Sequence, residues 1–323
     1  MRAVVMREFG PPEVLQLVET SEPQAGPGQV VIDVEIANVT FVETQVRAGR
    51  PPHPAMLPAL PAILGNGVGG TVADLGAGAD RELTGRRVVT SLSGTGGYAE
   101  RAVAAVGQLV EVPGQVALRD AVALLADGRT ALALTGRARP GKGETVIVEA
   151  AGGGVGTLLV QLARNAGARV VALAGDERKL HVARDLGADI AISYGDHDWP
   201  RQVRDAAGAA DVVFDGVGGD IGLAAFGLLG PGGRFCAFGM ASGSFAPVNT
   251  ELAQQRQVSV LQGPGAGLSP GELTALVRGA LAEAAAGRIR PVVGQELPLA
   301  RAADAHAAIE ARATIGKTLL TVR

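Results

Sequence analysis

Cysteine is nearly missing: Cys236 is the single thiol in 323 residues. No disulfide can close within the chain, and there are too few thiolates for a structural zinc cluster. Four scattered histidines, His53, His181, His197 and His306, do not repair that deficit. Lysine occurs only at Lys142, Lys179 and Lys317, and aromatics make up 3% of the chain. Net charge is −3 with no block of Lys and Arg, so the electrostatic footprint of a nucleic-acid binder is absent. Nor is there the run of about 18 apolar residues that a membrane span needs, or a signal-peptide apolar stretch before Arg7 and Glu8. These absences predict a cytoplasmic protein with no nucleic-acid or membrane partner.

What remains is a composition 47% hydrophobic and 19% charged, rich in glycine (47 residues), as in a soluble globular protein. The length suits two domains, since domains typically run to about 100–200 residues. From Met1 to about Val122 the signals are short strands and turns. Val30–Ile36 alternates, with Ile32, Val34 and Ile36 expected on one face and Asp33 and Glu35 on the other. Prolines at 51, 52, 54, 58 and 61 punctuate the loops that follow.

After an expected helix over Arg119–Arg137, strands and helices alternate, the pattern of a parallel sheet covered by helices. The expected strands are Val146–Glu149, Arg169–Ala174, Ile190–Ser193, Val212–Asp215, Arg234–Phe238 and Val258–Leu261. Six such strands make a complete dinucleotide-binding sheet. The tail from about Gly265 carries helices over Pro270–Gly287 and Arg301–Ala313 and a last strand over Thr318–Val322. The fold class is therefore α/β, a doubly wound parallel sheet plus a mostly β domain. The boundaries expected are 1–122 with 265–323 for the β-rich domain and 123–264 for the dinucleotide domain.

The segment Thr145–Gly156 reads strand, glycine turn, helix. Ala151-x-Gly153-x-x-Gly156 is the dinucleotide fingerprint with alanine for its first glycine. A pyrophosphate can approach only a backbone without Cβ atoms, where free N–H groups and the helix dipole meet its charge. Gly153, Gly154 and Val155 are the expected contacts. The second strand then ends at Ala174, without the acid that holds the 2′-hydroxyl of NAD. Gly175 and Asp176-Glu177-Arg178-Lys179 follow, placing Arg178 and Lys179 within reach of a 2′-phosphate and favouring NADPH. Asp176 argues the other way, lying about 20 residues past the turn, where the acid of an NAD site stands.

With those residues in place the chain resembles the quinone oxidoreductase (zeta-crystallin-like) branch of the medium-chain dehydrogenase/reductase superfamily along nearly its whole length. The similarity rests on Phe9-Gly10-Pro11-Pro12-Glu13-Val14-Leu15, Val39–Gly49, Gly97-Tyr98-Ala99-Glu100, Ala150–Gly156, Leu186-Gly187-Ala188-Asp189, Asp215–Gly219 and Gly316-Lys317. The resemblance implies a GroES-like catalytic domain completed by the tail, a Rossmann domain, and substrate in the cleft between them. It also implies NADPH held by the turn, Lys179, Tyr194 and Thr130, with Phe238 and Met240 bordering the nicotinamide, and commonly a homodimer, here through edge strand 258–261.

Zinc-using relatives carry Gly-His-Glu where this chain has Gly65-Asn66-Gly67, so no metal site is expected and alcohol chemistry is disfavoured. Thr40, Gln45, Asn66 and Gln262 are the substrate-cleft candidates. The activity expected is zinc-independent reduction of a quinone or similar activated olefin. An enoyl-thioester or alkenal reductase and a non-catalytic NADPH-binding sensor are the alternatives, and no catalytic acid or base stands out. Among other polar residues, His53 reads as a solvated loop histidine, Tyr98 as architectural, and Cys236 as a small packing residue. Arg47 reads either as an anchor for an anionic substrate or as an arginine tied to backbone carbonyls or to an acid such as Glu43.

Overall fold

The computed structural model describes residues 1–263, 265 and 267–323, apart from the Gln262 side chain. Two compact units account for the chain: Met1–Ala126, Ser269–Ala285 and Pro291–Arg323 form the first, Asp127–Leu268 and Ala286–Arg290 the second.

In the first unit the elements are β1 (Arg2–Met6), β2 (Leu15–Glu19), β3 (Gln29–Val39), α1 (Phe41–Arg47), β4 (Ala62–Ile63), β5 (Gly67–Leu75), β6 (Arg87–Ser91), β7 (Arg101–Ala105) and β8 (Val110–Glu111). Helix α2 (Leu118–Ala138) contains the boundary between the units. The second unit holds β9 (Thr145–Val148), α3 (Gly154–Asn165), β10 (Arg169–Ala174), α4 (Glu177–Asp185), β11 (Ile190–Ser193), α5 (Trp199–Ala207), β12 (Ala210–Asp215), α6 (Gly219–Phe226), β13 (Leu229–Ala237), α7 (Thr250–Gln255) and β14 (Ser259–Gln262). The tail adds α8 (Pro270–Ala285), β15 (Val293–Pro298), α9 (Ala302–Glu310) and β16 (Lys317–Thr321) to the first unit.

The main sheet of the first unit runs β15-β16-β3-β5-β6-β8, with β7 also on β3, beside a small sheet β2-β1-β4. Strand β16 pairs antiparallel with β3, so the last strand of the chain lies against one of the first. Along β3 the alternation holds through Val34 and then breaks. A register shift against β5 between Val34 and Ile36 leaves Ile36 half-buried and turns Ala37 into the core. The face expected for Ile36 is thus displaced by one residue, which a bulge does and a regular alternation cannot anticipate.

Order β11-β10-β9-β12-β13-β14 gives the second unit a wholly parallel sheet, 3-2-1-4-5-6 in its own numbering. That is the doubly wound dinucleotide order. Helices cover both faces, so β9 is buried at every position and β10 at all but its first. Each fully buried aliphatic there, such as Ile147, Val171 or Leu173, contributes roughly 2 kcal/mol by leaving water. Residues 286–290 join this unit rather than the first. Gln161 on α3 donates to the Arg290 carbonyl and accepts its N–H, both at 2.9 Å, and Asn165 donates to the Arg288 carbonyl at 2.7 Å.

Candidate active site

Strand β9 delivers the chain at its C-terminal end into the glycine turn, and α3 begins directly after it. Gly153 caps α3 in an extended conformation (φ −85°, ψ 169°), and its N–H donates to the Ala150 carbonyl at 2.8 Å. Ala150 itself takes φ 48°, a left-handed conformation that costs alanine energy. A Cβ on Gly156 would stand 2.2 Å from the Ala150 carbonyl oxygen, and one on Gly152 2.5 Å from Lys179 Cβ. Those glycines therefore let the turn close. A Cβ on Gly153 would meet only the Ala150 oxygen, at 3.2 Å. At that position the backbone is open to a ligand, and the first N–H groups of α3 lack intrahelical acceptors. The turn fits a pyrophosphate.

Beyond the end of β10, Asp176 caps α4 by accepting the Lys179 N–H at 3.1 Å, and its other oxygen lies 3.2 Å from Lys179 Nζ. Burial pushes the Asp176 carboxyl up, but these Lys179 contacts outweigh it and hold the group below its ordinary value. Both carboxylate oxygens are thus engaged within the chain. The Lys179 stem packs against Gly152, and its ammonium lies beside Asp176. Arg178 is exposed beside it, and Gly175 faces the Tyr194 ring, 3.3 Å from where its Cβ would be. Gly175, Lys179 and Tyr194 are thereby brought together around one end of the glycine turn.

At the other end, the segment after β13 returns over the segment after β12. Phe238 N–H donates to the Asp215 carbonyl at 2.9 Å, and its ring tip lies 2.8 Å from where a Gly216 Cβ would be. Met240 is half-buried nearby along the chain, and Thr130 is half-buried on α2. One residue missing from the sequence-based set is Asp127 on α2, whose Oδ2 would be 2.0 Å from a Cβ on Gly154. A carboxylate at the start of α3 is favoured by the helix dipole. Also missed was the fully buried pair Glu149 and Asp215 at the ends of adjacent strands. Asp215 Oδ1 accepts the N–H groups of Val217 (3.0 Å) and Gly218 (2.6 Å), while Glu149 Oε1 and Asp215 Oδ2 find no partner as two carboxylates. Burial, and then the Asp215 charge, push the Glu149 carboxyl well above its ordinary value.

The first unit gathers a different set. Thr40 caps α1 in a capping box with Glu43: the Thr40 N–H donates to Glu43 Oε2 at 2.6 Å, and the Glu43 N–H to Thr40 Oγ1 at 3.3 Å. The buried Glu43 also accepts from the Thr40 hydroxyl (3.1 Å), the Asn66 N–H (2.7 Å) and the Tyr98 hydroxyl (3.3 Å). Burial nevertheless raises its carboxyl, against the pull of the Asn66 and Thr40 donors and of Lys317. Tyr98 in turn meets His306 Nε2 at 3.0 Å, and burial, then the Arg47 charge, lower that imidazole to about 3. His306 is therefore neutral. Arg47 pairs with Glu310 at 2.5 Å rather than with Glu43. Gln45 is half-buried on α1, its amide donating to Thr44 Oγ1 at 3.1 Å.

Asn66 lies between β4 and β5. Its Oδ1 accepts the N–H groups of Leu92 (3.2 Å) and Gly94 (2.7 Å). Thr40 and Asn66, both named from the sequence as cleft candidates, are thus joined through Glu43, which entered there only as a possible partner of Arg47. Glu43 could have been found from its place three residues after Thr40 in a capping-box spacing. The Gln262 side chain lies outside the described residues. His53 is exposed and caps a short turn by accepting the Ala55 N–H at 3.2 Å, and Cys236 is buried with its thiol pushed up to about 12 by burial. Among the described residues no group of three His, Cys, Asp or Glu is placed to hold a metal ion, and no helix is long and apolar enough to cross a membrane.

Two family models match: an alcohol dehydrogenase GroES-like domain over residues 26–114 and a zinc-binding dehydrogenase domain over 154–277. The zinc in that second description finds no fitting donor set among the described residues. Among curated proteins, a 2-haloacrylate reductase of Burkholderia is 32% identical, covering 99% of this chain and 98% of its own length. A quinone oxidoreductase of Pseudomonas aeruginosa is 30% identical, with 97% of each chain covered. The quinone oxidoreductase of Escherichia coli, solved in complex with NADPH, superposes with a TM-score of 0.91 at 28% identity over all of both chains. A GroES-like unit and a doubly wound dinucleotide unit define a two-unit dehydrogenase/reductase. The chain belongs to the medium-chain dehydrogenase/reductase superfamily, in its quinone oxidoreductase branch.

Proposed function

We propose that this oxidoreductase transfers a hydride from NADPH to a quinone or a similar activated olefin without a metal ion. The observation that carries the reading is the glycine turn with Lys179 pinned across Gly152 while both Asp176 oxygens are occupied within the chain. An ammonium directed from that turn suits a 2′-phosphate, and an engaged carboxylate is a poor partner for the ribose hydroxyls of NADH. Bound NADPH supplies the hydride. The chain's contribution is orientation: α3 N–H groups for the pyrophosphate, Gly175, Arg178, Lys179 and Tyr194 for the adenosine end, Thr130, Phe238 and Met240 for the nicotinamide end, and Thr40, Gln45, Asn66 and Gln262 for the acceptor.

The relative named 2-haloacrylate reductase favours the alkenal or enoyl-thioester reading, because a haloacrylate and a quinone share a C=C conjugated to a carbonyl. The test is NADPH oxidation by a simple quinone and by a conjugated enone, after exhaustive chelation. We expect turnover that survives the chelator. Loss of activity to chelator defeats the metal-free reading, and binding without turnover of any acceptor favours a sensor. We further propose a homodimer in the cytoplasm, formed by β14, the edge strand of its sheet, pairing with its copy. A monomer by light scattering contradicts the pairing.

A further inference from the structure

We infer that the Asn66 side-chain amide is the hydrogen-bond donor to the acceptor's carbonyl oxygen, where negative charge collects during reduction. The inference rests on the reading that the acceptor is a quinone or enone. Three features of the first unit carry it.

Asn66 is held from both sides. Its backbone N–H donates to Glu43, and its Oδ1 accepts two backbone N–H groups, from Leu92 and Gly94. Two donors on one oxygen leave no ambiguity about which end of the amide is nitrogen. The residue between those donors, Ser93, takes φ 57°, a left-handed conformation unfavourable for serine. Local strain is accepted there, and its effect is to aim two N–H groups at one side chain. Asn66 Nδ2, by contrast, makes no hydrogen bond with the described residues, whereas the backbone N–H and Oδ1 do, and Asn66 is only half-buried. A locked amide with its donor unspent stabilises an oxyanion without reorganisation when the charge appears.

Thr40 is less suited to the task. Its hydroxyl already donates to Glu43 Oε2 and accepts the Glu43 N–H. Tyr98 and His306 are buried and bonded to each other. Among Thr40, Glu43, Asn66, Tyr98 and His306, only Asn66 combines a fixed orientation with an uncommitted donor.

With an enone, hydride bonds to the β carbon, the C=C pair shifts toward the carbonyl, and the oxygen becomes an enolate that Asn66 Nδ2–H hydrogen-bonds. Water then supplies a proton to the α carbon, and NADP⁺ is the oxidised product. With a p-quinone, hydride bonds to a ring carbon β to one carbonyl, the C=C pair shifts so that this carbonyl oxygen becomes the anion that Asn66 hydrogen-bonds and water protonates, and the proton on that ring carbon then passes through water to the second carbonyl oxygen, giving the hydroquinone.

The test is Asn66→Asp. The aspartate keeps an oxygen for Leu92 and Gly94 and puts a charged acceptor oxygen where the amide donor stood. We expect kcat/KM for a quinone and for an enone to fall about a hundredfold, with NADPH affinity unchanged. Activity should return partly as pH drops toward the ordinary aspartate range of about 4, where the protonated acid regains a donor. A second readout needs no turnover: with saturating NADP⁺, 4-nitrophenolate, whose oxygen stands in for the oxyanion, should bind wild type at least tenfold more tightly than N66D. Wild-type kcat/KM in N66D, or equal phenolate affinity, overturns the inference. A wild type that turns over no quinone or enone refutes the proposed function instead, and the phenolate comparison still decides the role of Asn66.

Discussion

The two units build their sites from different material. In the second, the ligand-facing surface is backbone: N–H groups at the start of α3, glycines whose missing Cβ atoms let the turn close, and a strained Ala150 holding the bend. In the first, a largely buried polar network is made of side chains drawn from segments as far apart as Glu43, Asn66, Tyr98 and His306. Each unit also buries a glutamate, in opposite company. Glu43 is surrounded by donors from Thr40, Asn66 and Tyr98, whereas Glu149 faces a second carboxylate, Asp215. A backbone site depends on where Cβ atoms are absent; a side-chain site depends on every partner being present. The two should therefore fail differently under substitution.

The largest effects belong to the glycine turn. Gly156→Ala places a Cβ against the Ala150 carbonyl oxygen, and should cost about 3 kcal/mol of stability as well as NADPH binding. Gly153→Ala meets only one atom at 3.2 Å, so melting should change little while NADPH binding, read from quenching of Trp199 emission, is lost. Equal effects of the two on melting would show that Gly153 is a packing glycine and would break the contrast.

In the first unit the comparable lesion is Glu310→Gln. It leaves the buried Arg47 without its counter-charge, and because Glu310 is partly exposed the cost should be nearer 2 kcal/mol than the larger value for a fully buried pair. Chemical denaturation measures it. A change under about 0.5 kcal/mol would mean that Arg47 is satisfied by its backbone contact with Thr44.

Smaller again is Lys179→Ala, which should raise KM for NADPH about tenfold and leave KM for NADH nearly unchanged. Equal shifts for both cofactors would remove Lys179 from the 2′-phosphate.

The smallest effects are in pH dependence, and they sharpen the contrast between the glutamates' surroundings. Glu149 binds its proton more tightly folded than unfolded, so its contribution is complete below the ordinary glutamate value and is lost as pH rises through the raised one. Glu149→Gln keeps a donor for Asp215 and should flatten the alkaline fall in Tm. His306 has the opposite sign: the unfolded imidazole protonates near 6.5 but the folded one only near 3, so stability is lost as pH falls between those values. His306→Gln should flatten that acid limb. The Glu43 carboxyl, raised by burial, titrates in the other sense, so the informative quantity is the difference between variant and wild type. Unchanged pH profiles in both variants would show that neither buried group titrates between folded and unfolded states.

The same contrast explains what could be read from the sequence. Strands β10 and β11 run over the residues expected; β10, buried on both faces, writes itself as a continuous apolar run between glycines, and the shorter half-buried edge strand β11 follows the same apolar signal. The glycine turn was visible because its parts are adjacent. Ile36 was misplaced by a bulge that no local pattern announces. Arg47, read as tied to backbone carbonyls or to an acid such as Glu43, does meet the Thr44 carbonyl, but its acid is Glu310, 263 residues away. The Glu149–Asp215 pair stood inside two recognised motifs and went unweighed, because nothing in a motif says that two acids 66 positions apart share one buried space. Asn66 was named by position alone, and only the structure shows its amide gripped by Leu92 and Gly94.

The most direct test of hydride transfer to an activated olefin is reduction of a conjugated enone with NADPH deuterated at both C4 positions. The account predicts one deuterium on the carbon β to the carbonyl of the product and a solvent proton on the α carbon; a product without deuterium, or NADPH bound but never consumed, would contradict it.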